Sequence, residues 1–514
     1  MLVRVDSSAI LGVDAYIVEV ETDVAAAGEG TFTIVGLPDP AVRESKERVY
    51  AAVRNSGYEF PYSSRITVNL APADIKKIGP IYDLPIAVGV LAATGQASTE
   101  YLGEMMIVGE LSLDGTVRPV HGVLPMALAA RQNKKKYLVV PEANTREAAV
   151  VEGLSVFPVS SLSDVLKLME DIASAEPAKS SAASFMLDEP IYDADFSDVK
   201  GQEHVKRALE IAAAGGHNII MIGPPGSGKT MLARRMQTIL PPMTLDEALE
   251  TTKLFSVSGR LDPSTALITR RPFRSPHHTT SNSGLSGGGS GLLRPGEVSL
   301  AHNGILFLDE FPEFHRDVLE ILRQPLEDGQ VTISRAAGSL TYPARFMLIA
   351  AMNPCRCGFY GDPTRACTCS PYIIQRYLRR ISGPLLDRID IHIEVPRLKD
   401  QEIVNQPTGE VSSAIRERVI RAREIQNRRF AGDSGTYCNA HMGARQIRKF
   451  CVAKEDVKDL LRTAINQLNL SARAYDRILK LARTIADLEG VEDLTLAHVA
   501  EAVQYRSLDR KLWG

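Results

Sequence analysis

The segment GPPGSGKT, Gly223 to Thr230, decides how the central part of this chain folds. It follows the apolar run NIIMI, Asn218 to Ile222, and precedes MLARRMQTIL, Met231 to Leu240, which is predicted to be helical. A strand, a glycine-rich loop and a helix in this order are the context that a phosphate-binding P-loop requires. The backbone N–H groups of such a loop surround phosphate oxygens at a helix N-terminus, where the helix dipole favours negative charge. The alternative interpretation is a Gly-Pro turn before an ordinary helix.

The P-loop predicts a site for ATP and Mg²⁺. Lys229 would reach the β- and γ-phosphates, and the hydroxyl of Thr230 would bind Mg²⁺. The remaining nucleotide-binding residues of the loop would contribute mainly backbone groups; they are Gly223, Pro224, Pro225, Gly226, Ser227 and Gly228.

Two further apolar strands end in polar residues of the kind that ATP hydrolysis needs. Asp309 and Glu310 follow the run Ile305 to Leu308, and Asn353 follows the run FMLIAAM. Ligands of open α/β sheets collect at the carboxyl ends of the strands. We expect Asp309 to bind Mg²⁺, Glu310 to orient and deprotonate the attacking water, and Asn353 to hydrogen-bond the γ-phosphate or that water. Considered alone, the acidic pair is equally compatible with a solvated turn, and the asparagine with a turn before proline.

The order of strands and helices places the chain in the α/β class and divides its 514 residues into several domains. Residues 1–172 alternate β-branched and helical runs, which predicts a mixed α/β domain. Residues 173–195 are rich in Ser, Ala, Pro and acids, which is typical of an interdomain linker. Residues 196–395 alternate apolar strands with helical segments, the pattern of a parallel sheet between helices.

Residues 396–514 have few strand features, and we expect a C-terminal helical domain. Helical spacing within this region covers residues 411–430, 444–451, 454–469, 472–488 and 495–505. The domain is therefore predicted to be built from helices alone.

Composition indicates a soluble globular protein without a strong overall charge. Hydrophobic residues make up 44% and charged residues 24%, and the formal net charge is -3. No stretch approaches the roughly 18 uninterrupted apolar residues of a membrane helix, and the N-terminus lacks the features of a signal peptide. We expect a cytoplasmic location and no membrane contact, and any binding of nucleic acid must depend on local basic patches or an assembled channel.

A cluster of cysteines interrupts the central α/β region. The run CRCGFYGDPTRACTC contains four of the six cysteines in C-x-C-x9-C-x-C spacing: Cys355, Cys357, Cys367 and Cys369. Four thiolates can complete a tetrahedral Zn²⁺ shell with no open position, so a structural zinc site is the main hypothesis. Free thiols and redox chemistry are the alternatives, and the one-residue spacing is tighter than in most zinc sites.

Several long motifs carry a resemblance to a known family. They are TFTIVGLPDPAVRESKERV (31–49), DVKGQEHVKRALEIAAAGGHN (198–218), FRSPHHTTS (273–281), LDEFPEF (308–314), LRQPLEDG (322–329), RISGPLLDRIDIHIEV (380–395) and LSARAYDRILKLARTIADLE (470–489). With these motifs the sequence resembles the AAA+ ATPases and, within them, the ComM/YifB family of magnesium-chelatase-like proteins. The resemblance covers essentially the whole chain.

This resemblance implies a ring, usually a homo-hexamer, with an AAA+ core, a helical lid and ATP between neighbouring subunits. Arg388, in GPLLDRID, matches the arginine finger that reaches the neighbour's site, and Arg473, in LSAR, matches the second sensor arginine. Without the family motif, each would be interpreted as a surface arginine in an ion pair. The implied function is an ATP-driven DNA motor, a helicase or branch-migration ring in homologous recombination or natural transformation. The alternative is the motor subunit of a magnesium chelatase, which remodels a partner protein.

The N-terminal region resembles the catalytic domain of Lon proteases, notably in VGELSLDGTVRPVHGVLPMALAA, Val108 to Ala130. Lon proteases use a Ser-Lys dyad. The stretch that should hold the nucleophile, Lys77 to Ala87, has no serine, and the stretch that should hold the lysine, His121 to Met126, has no lysine. Protease activity is therefore not expected, and the domain is interpreted as an inactive scaffold or a DNA contact.

Two basic stretches between strands of the core would face the pore of such a ring. Residues 269–297 contain Arg271 and Arg274 and then become glycine-rich, and residues 330–344 form an alternating hairpin with Arg335 near its tip. Six copies of each arginine would line a channel with positive charge and hold single-stranded or branched DNA through its phosphates.

Two adjacent histidines of the first stretch, His277 and His278, could be interpreted as metal ligands. Neighbouring residues of a strand point to opposite faces, however, and no carboxylate lies near this pair in the sequence. We therefore expect contacts within the loop rather than metal binding.

Overall fold

The computed structural model describes residues 1–26, 30–179, 192–289, 293–335, 338–398, 409–433, 435–468 and 471–508. Parts of the predicted linker (180–191), of the glycine-rich stretch (290–292) and of the predicted C-terminal domain (399–408, 434, 469–470 and 509–514) lie outside these residues. The described part has an N-terminal region with its own apolar core, followed by a central and a C-terminal region that share one.

A seven-stranded mixed sheet forms the N-terminal region, in the order β3-β4-β2-β1-β5-β8-β9. Its strands are β1 Leu2–Leu11, β2 Asp14–Ala26, β3 Thr31–Val35, β4 Ser64–Ala71, β5 Met105–Ile107, β8 Tyr137–Pro141 and β9 Ser155–Val159. Strand β2 is antiparallel to β1 and β4, and the other neighbours are parallel. Strands β6 (Glu110–Leu111) and β7 (Val117–Arg118) form a separate ribbon.

The helices of this region are α1 Pro40–Arg43, α2 Ser45–Asn55, α3 Asp83–Ala93, α4 Val123–Gln132, α5 Thr145–Ala148 and α6 Leu162–Glu170. Every residue of α3 is buried, because α3 packs against β1, β2, α2 and α6. A helix that is apolar on all sides must lie inside a domain, and the sequence DLPIAVGVLAA has this composition. The mixed α/β character predicted for this region is therefore confirmed.

A five-stranded parallel sheet forms the centre of the chain, in the order β11-β14-β17-β10-β18. Its strands are β10 Ile219–Ile222, β11 Phe273–Arg274, β14 Ile305–Leu308, β17 Met347–Met352 and β18 Ile391–Glu394. Strands β10, β14 and β17 are buried throughout, as is usual for a parallel sheet covered by helices on both faces. These three strands were predicted from their apolar runs, and the prediction is confirmed.

Strand β11 corrects the sequence interpretation, which placed Phe273 and Arg274 in an insertion outside the sheet. Phe273 pairs in parallel with Ile305 of β14, and its ring packs against Phe307 at a centroid distance of 5.9 Å. Two residues are too few for an alternating pattern to be visible in sequence. The beginning of that basic stretch therefore belongs to the sheet.

Helices and two ribbons complete the core. The helices are α7 Glu203–Gly215, α8 Lys229–Ile239, α9 Leu245–Ser258, α10 Asn282–Ser286, α11 Glu297–Leu300, α12 Arg316–Ile321, α13 Arg323–Asp328, α14 Pro371–Leu378 and α15 Gly383–Leu386. One ribbon joins β12 (Gly287–Gly288) to β13 (Arg294–Pro295), and the other is the predicted hairpin of β15 (Gln330–Arg335) and β16 (Gly338–Pro343).

The C-terminal region is helical, and each of the five predicted helical stretches forms a helix. They are α16 Ser412–Arg429, α17 Ala444–Phe450, α18 Glu455–Leu468, α19 Ala472–Glu489 and α20 Leu496–Gln504. Helices α16 and α19 both pack against α7, the helix before β10. This region is thus attached to the core through α7.

Candidate functional site

The P-loop connects β10 to α8 at the carboxyl edge of the core sheet. Gly226 and Gly228 have φ angles of 77° and 89°, which residues with a side chain rarely adopt. A Cβ at Gly223 would lie 2.1 Å from the backbone oxygen of Val395, so this position has no room for a side chain. Two glycines of the motif are therefore favoured by the backbone conformation of the loop, and the third by the lack of space beside it.

The ammonium of Lys229 lies inside the curl of this loop. It donates to the carbonyl oxygens of Gly223 at 2.8 Å and Pro224 at 2.9 Å, and it lies 3.3 Å from Oδ1 of Asn353. Burial lowers the pKa of Lys229 to about 8, and the nearby charge of Asp309 opposes this shift only in part. Phosphate oxygens would supply the strong anionic partner that the buried ammonium needs.

Asp309 lies beside the P-loop at the end of β14. The hydroxyl of Thr230 donates a hydrogen bond of 2.7 Å to its Oδ2, and the backbone N–H of Glu310 donates to its Oδ1 at 2.9 Å. A threonine hydroxyl and a carboxylate are hard oxygen ligands of the type that Mg²⁺ prefers. The two residues expected to bind Mg²⁺ are thus adjacent in space, and their chemistry fits that ion.

Glu310 is paired with a residue that sequence reasoning assigned to loop contacts. Nδ1 of His278 lies 3.0 Å from Oε2 of Glu310. Both histidines follow β11 rather than lying in a strand, and the rings of His277 and His278 are only 4.1 Å apart between centroids. The two rings therefore lie side by side instead of pointing to opposite faces, and the carboxylate that His278 meets, that of Glu310, is distant in sequence and close only in the fold.

The cysteine cluster follows Asn353 directly. All four Sγ atoms lie within 4.8 Å of one another, and Sγ of Cys355 lies 3.3 Å from that of Cys357 and 3.6 Å from that of Cys367. Zinc–sulfur bonds of about 2.3 Å in a tetrahedron place the sulfurs about 3.8 Å apart. The spacing of this cluster is close to that value, so the donor set fits Zn²⁺.

The cluster is also in contact with the P-loop. A Cβ at Gly358 would lie 2.6 Å from the side chain of Pro225 and 3.9 Å from Cγ of Asn353. Burial tends to raise the pKa of Cys357, but the N–H groups of Phe359 and Thr368 and the neighbouring thiols lower it to about 5. The loop that carries the cysteines therefore packs on the nucleotide site, and at least one thiol favours the thiolate form.

Arg388 lies at the amino ends of the core strands, whereas the P-loop of the same chain lies at their carboxyl ends. It precedes the amino end of β18, whereas the P-loop follows the carboxyl end of β10, and Ile219 pairs in parallel with Ile391. A four-residue strand separates the two edges by roughly 13 Å. The guanidinium of Arg388 donates to the carboxylate of Glu327 and, at 2.7 Å, to the oxygen of Pro384.

Arg473 lies near the same edge. It is exposed close to the start of α19. The pKa of Glu327 is lowered mainly by the hydrogen bond from Arg388, and the charges of Arg388 and Arg473 lower it further. The two arginines that resemble the finger and the second sensor are therefore brought together, on the side of the sheet away from Lys229.

A buried polar network that sequence reasoning missed connects the helical region to the core. The carboxylate of Asp390 pairs with Arg477 of α19, lies 3.4 Å from Nδ1 of His217, and accepts from the N–H of Asn218 at 3.1 Å. Nε2 of His217 lies 2.8 Å from the hydroxyl of Thr484. The motif stretches GGHN, LDRID and LSARAYDRILKLARTIADLE contained these residues, but their pairing required the fold.

The three arginines expected to contact DNA have different environments. Arg271 is 13% exposed and pairs with Glu247 at 2.9 Å while donating to backbone oxygens, including that of Asn303 at 2.7 Å. Arg274 is held by Glu297 at 2.6 Å. Arg335 is exposed at the end of β15. Arg335 is therefore accessible to a ligand, whereas carboxylates of the central region already pair with the guanidinium groups of Arg271 and Arg274.

Three family models match successive parts of this chain. The model described as magnesium chelatase, subunit ChlI, matches residues 195–403. A model described as subunit ChlI of Mg-chelatase matches residues 20–144, and one described as the C-terminal part of that subunit matches residues 409–506.

Relatives match over the full length of the chain. The competence protein ComM of Haemophilus influenzae is 45% identical, over 99% of this chain and 98% of its own length. The YifB protein of Escherichia coli is 43% identical, over 99% of this chain and 97% of its own length. The chain belongs to the ComM/YifB family. This magnesium-chelatase-like AAA+ family accounts for the P-loop, the parallel sheet and the helical C-terminal region of the protein.

A more limited similarity links this ComM/YifB member to Lon proteases. Lon protease 2 of Bacillus subtilis is 31% identical over 33% of this chain and 30% of its own length. Residues 78–81 and His121 of the N-terminal region line one cavity of about 320 Å³ together with Val257 and Arg294 of the central region. Its polar side chains are Lys76, Glu110, His121 and Arg294, and the described residues that line it include no serine.

Within the described residues, no helix combines the length and apolar character needed to cross a bilayer.

Proposed function

We propose that this ComM/YifB protein forms a homo-hexameric ring that couples ATP hydrolysis to movement on DNA, as a helicase or branch-migration motor in homologous recombination or natural transformation. The separation of Arg388 and Arg473 from Lys229 of the same chain carries this proposal. Phosphoryl transfer requires positive charge at the γ-phosphate from several directions. A site that needs both Lys229 and Arg388 therefore has to take the arginine from a second subunit, because the two residues of one chain lie at opposite ends of the strands.

Each residue of the proposed site has a distinct task. Lys229 would bind the β- and γ-phosphates of ATP, and Thr230 and Asp309 would hold Mg²⁺, which neutralises phosphate charge when bound. Glu310 would accept a proton from the attacking water, and Asn353, next to Lys229, would orient that water or the γ-phosphate.

The neighbouring subunit would supply the remaining charge. The planar guanidinium of Arg388 suits a transition state whose negative charge spreads over the γ-phosphoryl oxygens. Arg473, close to the same Glu327, would act in the same interface. ATP hydrolysis would then depend on assembly, because Arg388 and Arg473 of one chain would act only on the site of its neighbour.

DNA as the partner is supported by the hairpin of β15 and β16 and by the relatives. Arg335 is exposed at the end of β15, and six copies would form a positive ring that holds phosphates without regard to base sequence. One relative is named a competence protein. Arg271 and Arg274 are left with supporting roles, since carboxylates already pair with their guanidinium groups.

A structural Zn²⁺ held by the four-cysteine cluster is part of this proposal. Its position after Asn353 and against Pro225 would brace the hydrolytic edge of the sheet. The N-terminal region is proposed to be a catalytically inactive Lon-like scaffold, and a cytoplasmic location is proposed for the whole protein.

The DNA proposal is tested by measuring ATP turnover with and without single-stranded DNA and a four-way junction, together with junction migration. Wild type should be stimulated by DNA, and Arg335→Ala should lose most of that stimulation. Arg462→Ala is the matched control, because Arg462 is an exposed arginine of α18 that pairs with Asp459. Turnover that ignores DNA, in a protein that also fails to bind DNA, would exclude the proposal.

The second candidate function is the motor subunit of a chelatase that inserts Mg²⁺ into a porphyrin. The descriptions of the matching family models favour it. It predicts that a chelatase partner protein, rather than DNA, stimulates ATP turnover. The same assay with the partner in place of DNA separates the two functions.

A further inference from the structure

A cavity of about 580 Å³ lies between the central region and the C-terminal helical region. On the central side it is lined by Gly304 and Met347, which lie at the amino ends of β14 and β17. On the helical side it is lined by residues of α16 and of the segment 437–441. The proposed ATP site uses the carboxyl ends of the same strands, so this cavity is a separate site.

The segment 437–441 places a thiol and an imidazole side by side at this cavity. Sγ of Cys438 lies 3.4 Å from Nδ1 of His441, and the backbone N–H of His441 donates to the carbonyl oxygen of Cys438 at 3.0 Å. The sulfur leaves no space towards Gly216, because a Cβ at that position would lie 2.6 Å from Sγ. The free space next to the sulfur is therefore that of the cavity.

Basic side chains from several elements face the sulfur. They are His441 from its own segment, Arg423 from α16, His217 from the loop before β10 and Lys480 from α19. Burial tends to raise the pKa of Cys438, but His441, Arg423 and His217 lower it to about 6. The thiolate is the nucleophilic form of a cysteine. The reactive form of Cys438 is therefore the major one at neutral pH.

Arg423 has an unused hydrogen-bond donor at the same place. Its Nη2 donates to the carbonyl oxygen of Ala213 at 2.9 Å, but its buried Nε has no hydrogen-bond partner among the residues that the structure describes. A buried donor without an acceptor is unfavourable. Since Arg423 lines the cavity, a small molecule with an oxygen atom would supply the missing acceptor from within it.

The cavity opens to solvent beside the Cys438–His441 pair. Cys438 itself is only 2% exposed, whereas Tyr437 and His441, which also line the cavity, are exposed. The rings of Tyr437 and His441 meet edge to face with centroids 6.4 Å apart, and the guanidinium of Arg345 lies 4.9 Å from the centroid of Tyr437. A molecule of a few atoms can therefore reach the sulfur in the folded protein.

We propose that Cys438 is a modification site at which a small hydroperoxide, such as hydrogen peroxide, converts the thiolate into a sulfenic acid. The sulfur attacks one peroxide oxygen, so that an S–O bond forms while the O–O bond breaks. The sulfur is oxidised and the peroxide is reduced. The departing hydroxide takes a proton from the imidazolium of His441 and leaves as water, while Nε of Arg423 donates a hydrogen bond to the departing oxygen.

The modified sulfur would lie at the joint between the helical region and the core. Gly216 is the residue after α7, the helix through which the helical region is attached. Next to Cys438, the side chain of Asn439 donates to Thr484 at 3.0 Å and to Asp487 at 2.8 Å, and both of these residues belong to α19. Oxidation of Cys438 would therefore alter the place where α7 and α19 are held together.

The proposal is tested by treating the folded protein with hydrogen peroxide in the presence of dimedone, which captures sulfenic acids, and locating the adducts by peptide mass spectrometry. The matched control within the same chain is Cys451, a buried cysteine of the helical region that does not line the cavity. Burial raises the pKa of Cys451 to about 12. Adducts at Cys438 should form about tenfold faster, or more, than adducts at Cys451.

His441→Gln tests the partner of the thiolate, because glutamine is polar and of similar size but carries no charge. At pH 7 this variant should form the Cys438 adduct about fivefold more slowly than wild type. The alkylation rate of Cys438 by iodoacetamide should be half-maximal near pH 6 in wild type and at a higher pH in His441→Gln. His204→Gln, at an exposed histidine that contacts the backbone oxygen of Glu394, should match wild type in both measurements.

Three outcomes would overturn the inference. The first is a Cys438 that forms adducts as slowly as Cys451, and the second is a His441→Gln protein with the adduct rate and alkylation profile of wild type. The third is a difference between Cys438 and Cys451 that persists in urea, since the local sequence and not the cavity would then cause it. Neither ATP nor DNA is present in these measurements, so their result is independent of the function proposed above.

Discussion

The amide oxygen of Asn353 lies 3.3 Å from the ammonium of Lys229, which connects the end of β17 to the P-loop after β10. The hydrogen bond of 2.7 Å from Thr230 to Asp309 connects the same loop to the end of β14. Three strands that are far apart in sequence thus place their terminal side chains around one phosphate site. Substitutions at these positions should affect one shared activity, in ways that depend on the chemistry of each side chain.

Replacing Glu310 with glutamine should reduce kcat for ATP about 100-fold or more, because an amide of similar size cannot accept the proton of the attacking water. KM should change little, since Lys229 and Asp309 remain. Steady-state ATP turnover measures both constants. Glu320→Gln, at a partly exposed pair with Arg323 on the neighbouring helices, should behave like wild type; a Glu310→Gln protein that keeps its kcat would remove Glu310 from the proposed role.

ATP binding should take up protons at alkaline pH. Burial lowers the pKa of Lys229 to about 8 without nucleotide, so above that pH the side chain is mostly neutral. Phosphates favour the charged form and raise the pKa again, so binding should take up close to one proton at about pH 9 and almost none below about pH 7. Affinity should weaken as the pH rises through this range.

Calorimetric titration of ATP in buffers of different ionisation enthalpy measures this proton uptake. Lys229→Arg is the control, because guanidinium stays charged throughout the range and should bind ATP without taking up a proton. Equal proton uptake in wild type and Lys229→Arg would assign the titration to another group.

Arg388 should act on the site of a neighbouring subunit. Arg388→Ala and Lys229→Ala should each be inactive alone, since either loses a charge required at the γ-phosphate. Mixed rings would contain some interfaces with an intact Lys229 from one chain and an intact Arg388 from the next. We therefore expect part of the ATPase activity to return when the two inactive proteins are mixed and reassembled; no recovery, in rings shown to exchange subunits, would contradict action across the interface.

The purified protein should contain about one zinc ion per chain, measured by mass spectrometry of the metal, because four thiolates complete one tetrahedral shell. Cys367→Ser should lower the zinc content and the thermal unfolding midpoint, since one ligand is lost beside the P-loop. Cys451→Ala, a buried cysteine of the helical region, should keep the zinc. Full zinc content in Cys367→Ser would show that the metal binds elsewhere.

Asp390→Asn should destabilise the protein by about 3 kcal/mol, because it leaves Arg477 without its buried partner. Burial alone would raise the pKa of Asp390, but Arg477 and His217 outweigh it and hold the pKa far below its usual range. The stabilisation is therefore present at neutral pH and is lost as the pH falls below about 4, the unfolded value.

Urea unfolding at neutral and acidic pH measures this contribution. The difference between wild type and Asp390→Asn should be largest at neutral pH and shrink in acid. Asp459→Asn is the control, because its exposed pair with Arg462 should contribute less than about 1 kcal/mol. A difference between wild type and Asp390→Asn that is the same at both pH values would exclude the charge of Asp390 as its cause.

Local patterns predicted much of this molecule. The P-loop, the strands before Asp309 and Asn353, and the five C-terminal helices were all predicted because their residues are contiguous and their apolar periods are long. The edge strand at Phe273 was missed because two residues carry no period. The ion pairs of Arg271 with Glu247 and of Arg274 with Glu297 were not visible in the sequence either, because each joins segments that are more than 20 residues apart.

The sequence by itself determined which residue types are available at the ends of the strands, and the family to which the chain belongs. Only the tertiary structure decided which of them meet. It paired His278 with Glu310, joined Asp390 to Arg477, and placed Arg388 on the edge of the sheet away from Lys229. The physical reason is that side-chain contacts between distant segments depend on strand order and helix packing, which periodicity along the chain does not encode.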